Sequence, residues 1–251
     1  MEQFFIDKNQ INGHEVIITG TDVNHIKNVL RKRIGDEIAL SDGSAKEYRC
    51  RIEEIDKDFI RCSLEFVKES DTELKVRVHL YQGLPKGDKL EMIIQKCVEL
   101  GVYDIIPVQC ERSIVKLDPK KVDKKLLRYN AIAEAAAKQS KRRIVPEVIS
   151  PMSFKQAIEM AKDMDVKLIP YELSELGMQR TREIFEKIGK ANGGNDIKDI
   201  AIFIGPEGGF SDKEIEVANA AGFEAITLGR RILRTETAGL TVMSWIMYQV
   251  D

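Results

Sequence analysis

The chain has 251 residues and a formal net charge of −2, with 43% hydrophobic and 32% charged residues. These are the values of an ordinary globular protein of one or two domains, and a near-neutral total does not by itself advertise a nucleic-acid partner. No apolar run approaches the ~20 residues of a membrane-spanning helix, so no membrane association is expected.

The opening stretch MEQFFIDKNQ lacks both the basic region and the long apolar core of a secretory signal, and a cytoplasmic protein is expected. The four cysteines, Cys50, Cys62, Cys97 and Cys110, form no C-x-x-C pair. No metal site is therefore expected, and reduced thiols are the simplest account. Residues 1–71 read as a small β domain. Strand candidates are Val16–Ile18, Glu37–Leu40, Tyr48–Ile52 and Phe59–Leu64, separated by turn signals at Gly35-Asp36, Asp42-Gly43 and Asp56-Lys57-Asp58. A short helix, roughly Val23 to Arg31, interrupts them. Strands at this spacing suggest a barrel. Lys27, Arg31, Lys32 and Arg33 form a basic cluster on and after that helix, which reads either as a solvated face or as a surface for a polyanion.

Glu69–Thr72 is polar and reads as a linker. Beyond it, Leu74–Gln82 alternates into a strand and Leu84–Gly87 forms a loop. Asp88–Leu100 carries an apolar stripe of Leu90, Ile93, Ile94, Cys97, Val98 and Leu100 and is closed by Gly101, the pattern of an amphipathic helix. Cys97 on that stripe reads as a packed thiol. Ile105–Val108 is the next strand. Strand and helix alternate to the end, which points to a parallel sheet with helices on both faces. From Pro119 to Arg143 nine basic residues (Lys120, Lys121, Lys124, Lys125, Arg128, Lys138, Lys141, Arg142, Arg143) face two acidic ones, Asp123 and Glu134. That segment reads as a lysine-rich exposed helix or as a local site for a polyanion that is released after each reaction. Lys190–Asp196 is the one low-complexity patch and reads as a surface loop.

The densest signals lie between Asp199 and Leu240. Ala201–Ile204 is a short apolar run ended by Gly205-Pro206-Glu207-Gly208-Gly209, hence a buried strand and a glycine loop. Ser211 and Glu214 fit a capping box, Phe210 and Ile215 a hydrophobic staple, and Gly222 a helix stop. Ala225–Leu228 reads as a second strand, Gly229–Thr235 as a second loop and Thr237–Val250 as a largely apolar helix. Two glycine-marked loops leaving buried strands are the usual address of a ligand site in an open α/β sheet. The P-loop pattern of Lys and Ser/Thr after the last glycine is absent. Glu207 would repel phosphate, so the residues favour a neutral or cationic ligand; a tight turn with no ligand is the alternative.

The second loop, LGRRILRTETA from Leu228 to Ala238, resembles the signature of the SPOUT RNA methyltransferases. With IGPEGGF before it, the likeness is closest to the 16S ribosomal RNA uracil-N3 methyltransferase family. HIKNVLRKRIGDEIALSDG, IIQKCVELGV, Glu111-Arg112-Ser113 and EAAAKQSKRR follow the family's order, so the resemblance covers nearly the whole chain. It implies a PUA-like RNA-binding barrel over 1–71. It implies an α/β methyltransferase domain over 72–251 with a C-terminal trefoil knot, S-adenosyl-L-methionine as methyl donor, and 16S rRNA of the small ribosomal subunit as partner. A homodimer is implied as well. The last helix (Leu240, Val242, Met243, Trp245, Ile246, Met247) is a candidate interface and equally a candidate core element.

By the same resemblance the donor pocket is built from three segments. The first lies around Ile169–Glu172 and includes Pro170 and Tyr171. The second is Ile204, Gly205, Pro206, Glu207, Gly208 and Gly209. The third runs from Leu228 to Leu233 and includes Gly229, Ile232 and Leu233. RNA contacts are expected from Lys27, Arg31, Arg33, Arg112, Gln139, Ser140 and Arg142. Arg112, Arg142 and Arg234 are the candidate phosphate clamps, because a guanidinium matches phosphate oxygens bidentately. Uracil N3 must lose its proton to attack the methyl group. Arg231 or Arg234 would stabilise the ring anion, and Glu236 is the candidate base. An ordinary carboxylate, with a pKa of about 4.3, is a weak base for this step unless burial raises it. A structural role for Glu236 is the competing reading. Ribose 2′-O methylation, or RNA binding without catalysis, are the alternative functions.

Overall fold

The computed structural model describes residues 3–44, 46–69, 72–115, 119–171, 177–192 and 197–251. Ser70 and Asp71 of the expected linker, Glu172 of the expected donor segment, residues 193–196 of the expected loop and the Lys120 side chain lie outside the described residues. The chain divides into two units: Met1–Glu73 with Ala137–Val145, and Leu74–Ala136 with Pro146–Asp251.

The first unit holds β1 (Gln3–Phe5), β2 (Ile11–Asn12), β3 (Glu15–Thr19), β4 (Glu37–Ser41), β5 (Lys46–Ile55) and β6 (Phe59–Glu69). They form a sheet in the order β1-β4-β5-β6-β3-β2, antiparallel except for the β1–β4 pair. The inward residues are those that alternation selects: Val16 and Ile18, Ile38 and Leu40, Cys50 and Ile52, Ile60 and Cys62 share one apolar cluster with Phe4, Val23 and Ile26. The expected helix from Val23 to Arg31 is split. A single turn, α1 (Thr21–Asn24), passes into a π-turn over His25–Val29, and Arg31 takes a positive φ of 53°.

The tract from Ala137 to Val145 is tied into this unit by charge. The Glu73 carboxylate accepts from the Arg142 guanidinium (Nε 3.1 Å) and from the Arg143 backbone N–H (2.7 Å). Arg143 is 2% exposed; it pairs with Glu47 and donates from Nη1 to Gln3 Oε1 at 3.0 Å. Lys138 pairs with Asp22 at 2.8 Å. This corrects the local charge reading. Lys138, Arg142 and Arg143 are matched by carboxylates distant in sequence, so the tract is less cationic than its composition.

The second unit is built on strands β7 (Arg77–Gly83), β8 (Asp104–Gln109), β9 (Glu147–Val148), β10 (Met152–Ser153), β11 (Val166–Pro170), β12 (Asp199–Ile204) and β13 (Glu224–Ile226). All pair in parallel, in the order β10-β8-β7-β12-β11-β13, with β9 also on β8. In β12, Ile200, Ala201, Ile202 and Phe203 are all fully buried. That is why the strand reads as a continuous apolar run instead of an alternating one. The helices are α2 (Lys89–Glu99), α3 (Pro119–Ser140), α4 (Phe154–Ala161), α5 (Gly177–Asn192), α6 (Asp212–Ala220) and α7 (Thr235–Val250); α3 is counted with the first unit from Ala137 on.

The stripe of α2 is buried as expected. Cys97 is wholly enclosed, which pushes its thiol up to about 12 and leaves an inert, packed side chain. The α6 capping box forms: Ser211 N–H donates to Glu214 Oε2 at 2.9 Å and Glu214 N–H to Ser211 Oγ at 3.3 Å. Phe210 and Ile215 lie in one buried cluster. α7 starts two residues earlier than expected, because the Arg234 carbonyl already accepts from the Thr237 and Ala238 N–H groups. Val242, Met243 and Ile246 are buried inside the chain, while Trp245 packs edge-on to Phe185 with ring centroids 5.4 Å apart. Among the described residues no helix is long and apolar enough to cross a membrane, and no group of three or more His, Cys, Asp or Glu is placed to hold a metal.

Candidate active site

β12, β11 and β13 are neighbours and end together, at Ile204, Pro170 and Ile226. The segments leaving these ends enclose a cleft of about 1000 Å³. Pro170, Tyr171, Ile204, Gly205, Pro206, Glu207, Gly208, Gly209, Leu228, Gly229, Ile232 and Leu233 all line it, with Arg112, Arg231 and Arg234. The three segments grouped by resemblance are thus brought together by sheet order. Glu236 is not among the lining residues.

The glycine loop is shaped by two requirements. Gly209 sits at φ +66° and its N–H donates to the Pro206 carbonyl at 2.9 Å, a turn that favours glycine. At Gly83, the last residue of β7, a Cβ would lie 2.6 Å from both N and Cδ of Pro206. Only a glycine lets this loop settle against the strand. The floor is held by one hydroxyl. Thr235 Oγ1 accepts from Gln82 Nε2 at 2.8 Å and donates to the Gly205 carbonyl at 2.7 Å. Gln82 is fully buried and Thr235 is 5% exposed, so the start of α7 is pinned to the glycine loop from beneath.

One wall carries Arg112. Ser211 Oγ donates to Glu111 Oε2 at 2.7 Å, and the Glu111 N–H donates to Glu214 Oε1 at 2.9 Å. The capping box of α6 therefore also anchors the Glu111-Arg112-Ser113 turn, and Arg112 Nη1 reaches the Gly208 carbonyl at 3.3 Å. On the opposite lip Arg230, Arg231 and Arg234 are exposed, and Ile232 is 81% exposed. The acidic residues of the cleft are already engaged. Asp212 accepts from the Tyr171 hydroxyl at 3.1 Å. Glu207 accepts from the Lys86 N–H at 3.1 Å and pairs with Lys89 at 2.8 Å. Partial burial would raise the Glu207 carboxyl, but the Lys89 ammonium and the Lys86 N–H hold it below the ordinary carboxylate value.

The other expected site residues are not among the lining of the cleft. Lys27, Arg31 and Arg33 are exposed on the first unit; Lys27 Nζ donates to the Asp56 carbonyl at 3.4 Å. Gln139 is exposed and Ser140 half-buried. Arg142, expected as a phosphate clamp, is 3% exposed and gripped by Glu73. Its guanidinium holds the Ala137–Val145 tract through Glu73. The Glu236 side chain is 15% exposed and its Oε2 lies 3.5 Å from Lys89 Nζ, so it faces a cation that lines the cleft. Lys89, Gln82 and Thr235 were missed. Gln82 does leave a trace in the sequence, as the polar residue that ends the Val78, Leu80 alternation.

A parallel sheet with an arginine-lipped cleft at its strand ends defines the class: an α/β protein with a ligand site at the carboxyl ends of its strands. Comparison with known proteins gives the family. Residues 72–247 match the RNA methyltransferase domain and residues 18–65 the RNA methyltransferase PUA domain. The chain belongs to this RNA methyltransferase family, as the motifs of its two loops imply. It is 40% identical over 256 aligned residues to the ribosomal RNA small subunit methyltransferase E of Bacillus subtilis (strain 168), covering 100% of this chain and 98% of the relative. A putative methyltransferase of Legionella pneumophila, solved with bound S-adenosylmethionine, superposes with a TM-score of 0.84 at 31% identity over 98% of this chain and 96% of its own. A ribosomal RNA small subunit methyltransferase E of Neisseria gonorrhoeae, bound to the same molecule, gives 0.79 at 33% identity over 97% and 95%.

Proposed function

We propose that the chain transfers a methyl group from S-adenosyl-L-methionine to N3 of a uridine in 16S ribosomal RNA of the small subunit. The observation that carries this is the cleft itself: three strand ends and two glycine-marked loops enclose one space lipped by Arg112, Arg230, Arg231 and Arg234. The residues fit the donor. Gly208 lies so close to Arg112 that a Cβ would stand 3.1 Å from the Arg112 Cβ, so the backbone of the loop, not side chains, forms that part of the wall. When bound, the donor supplies an electrophilic methyl on a sulfonium. Pro170, Tyr171, Leu228 and Leu233 offer apolar and aromatic surface for its adenine, and the loop backbone offers polar groups for its amino acid moiety. Arg231 and Arg234, which line the cleft, would lower the cost of a uracil anion by facing its carbonyl oxygens. Arg112, held by the α6 cap, is the clamp best placed for a phosphate.

Lys27, Arg31 and Arg33 on the PUA-like unit supply a second, exposed set of cations for RNA. The C-terminal trefoil knot belongs to this reading. So does a homodimer, supported by Tyr248, 82% exposed on α7 beside a groove of about 300 Å³ with Phe185 and Trp245. A cytoplasmic location belongs to the same reading. The test is mass spectrometry of nucleosides from ribosomal RNA of a deletion strain. Loss of 3-methyluridine, restored by the intact gene, is expected; loss of a 2′-O-methylated nucleoside instead would reject base methylation.

A further inference from the structure

Lys89 is the first residue of α2, and nothing in the motifs assigns it a role. Its Nζ lies 2.8 Å from Glu207 Oε1 and 3.5 Å from Glu236 Oε2. Those two carboxylates stand on different segments. Glu207 is inside the glycine loop, and Glu236 is in the first turn of α7, just past the arginine loop. Glu236 Oε2 is buried and makes no hydrogen bond, so the ammonium is what compensates it. The segment that carries Lys89 already lies along the glycine loop, through the Lys86 N–H on Glu207 and the close approach of Gly83 to Pro206. One ammonium thereby joins the start of α2 to both loops that wall the cleft. Without it, two carboxylates within reach of one point would repel across the junction of these loops.

We propose that Lys89 is a positioning residue for methyl transfer: by holding Glu207 and Glu236 together it fixes the spacing of the glycine loop and the arginine loop around the donor. This rests on the reading of the cleft as a donor pocket. The role is one of geometry and charge, and a residue of the same charge should fill it in part.

The test is calorimetric titration of S-adenosylmethionine into the full-length protein, with turnover on RNA measured in parallel. The variants are Lys89→Met, Lys89→Gln as a second neutral variant, Lys89→Arg, Glu207→Gln, and Lys89→Met combined with Glu207→Gln. Near pH 8, Lys89→Met is expected to weaken donor binding about tenfold or more, and Lys89→Arg by less than about threefold. In the Glu207→Gln background the Lys89→Met change should cost less than in the wild-type background, because the repulsion between Glu207 and Glu236 is gone and only Glu236 loses its cation. Affinity for Lys89→Met and Lys89→Gln within about twofold of wild type overturns the proposal. A loss of equal size in both backgrounds also overturns it, because that is the behaviour of lost packing. Wild-type protein that does not bind the donor overturns the donor-pocket reading itself, and the two failures are distinguishable in one set of titrations.

Discussion

Replacing Thr235 by Val tests the floor of the cleft. The shapes are nearly equal, so the change removes one hydroxyl and little volume. Two hydrogen bonds disappear with it, from Gln82 Nε2 at 2.8 Å and to the Gly205 carbonyl at 2.7 Å. Gln82 Nε2 keeps its bond to the Gly83 carbonyl at 3.0 Å. Gly205 is half-buried and lines the cleft, so its carbonyl keeps access to water, and the two lost bonds at about 1 kcal/mol each give roughly 2 kcal/mol together. The assay is urea denaturation followed by fluorescence. Trp245 is the only tryptophan in the sequence and lies on α7 against Phe185, so the signal reports on the unit that carries the cleft. The midpoint should fall at unchanged slope. Thr235→Ser keeps the hydroxyl and should lose only about the ~0.8 kcal/mol of one methyl group. A loss below about 0.5 kcal/mol for Thr235→Val, the range of ordinary surface substitutions, would refute the reasoning.

The other expectations concern donor, core, pH and RNA. Gly208→Val places side-chain atoms where Arg112 already lies; donor affinity by calorimetry should fall at least about tenfold, and wild-type affinity would remove the loop from the pocket. Arg143→Met strips Glu47 of a buried partner but leaves Arg49 beside it. The cost should be near the low end of the usual range, about 3 kcal/mol, seen as faster hydrogen exchange in β4 and β5 with the Trp245 transition little changed. His79 Nδ1 lies 2.9 Å from both Asp104 oxygens and its Nε2 3.1 Å from Asp199 Oδ1. Burial alone would lower the imidazole, but the two carboxylates outweigh it and raise it above 6.5, while Asp199, despite burial, is held below 3.8 by Arg77 and His79. The stabilisation from His79 is complete below 6.5 and is lost as pH rises through its raised folded value. That from Asp199 is present above 3.8 and is lost as pH falls through its lowered one. Melting curves of wild type and His79→Gln should therefore differ most between these limits and converge at alkaline pH; a constant gap would count against the cluster. Arg112→Ala should weaken RNA binding and reduce the salt slope by about one, whereas Arg142→Ala should act on stability through Glu73.

What the sequence disclosed was local. The α6 capping box needs only Ser211 and Glu214, three residues apart, and both bonds form. The fully buried β12 shows as an unbroken apolar run, and the first glycine loop follows it directly. What stayed hidden depends on partners far along the chain. Arg142 reads as a cation among cations because Glu73 lies 69 residues away, and Thr235 reads as the end of a loop because Gln82 lies 153 residues away. Lys89 looks like any surface lysine until Glu207 and Glu236 are folded beside it. The second strand is shorter than its apolar run suggests, because Thr227 and Leu228 turn away to line the cleft.

The return of residues 137–145 to the first unit has a consequence for the order of events at the ribosome. Translation delivers β1 to β6 first, but the guanidinium that meets Glu47 and Gln3 emerges only after some seventy further residues, roughly the span from Glu73 to Arg143. Until then the nascent barrel carries an enclosed carboxylate without its Arg143 partner. Its final closure therefore waits on the growth of the domain that follows it, and a fragment cut at residue 71 should remain in that unfinished state.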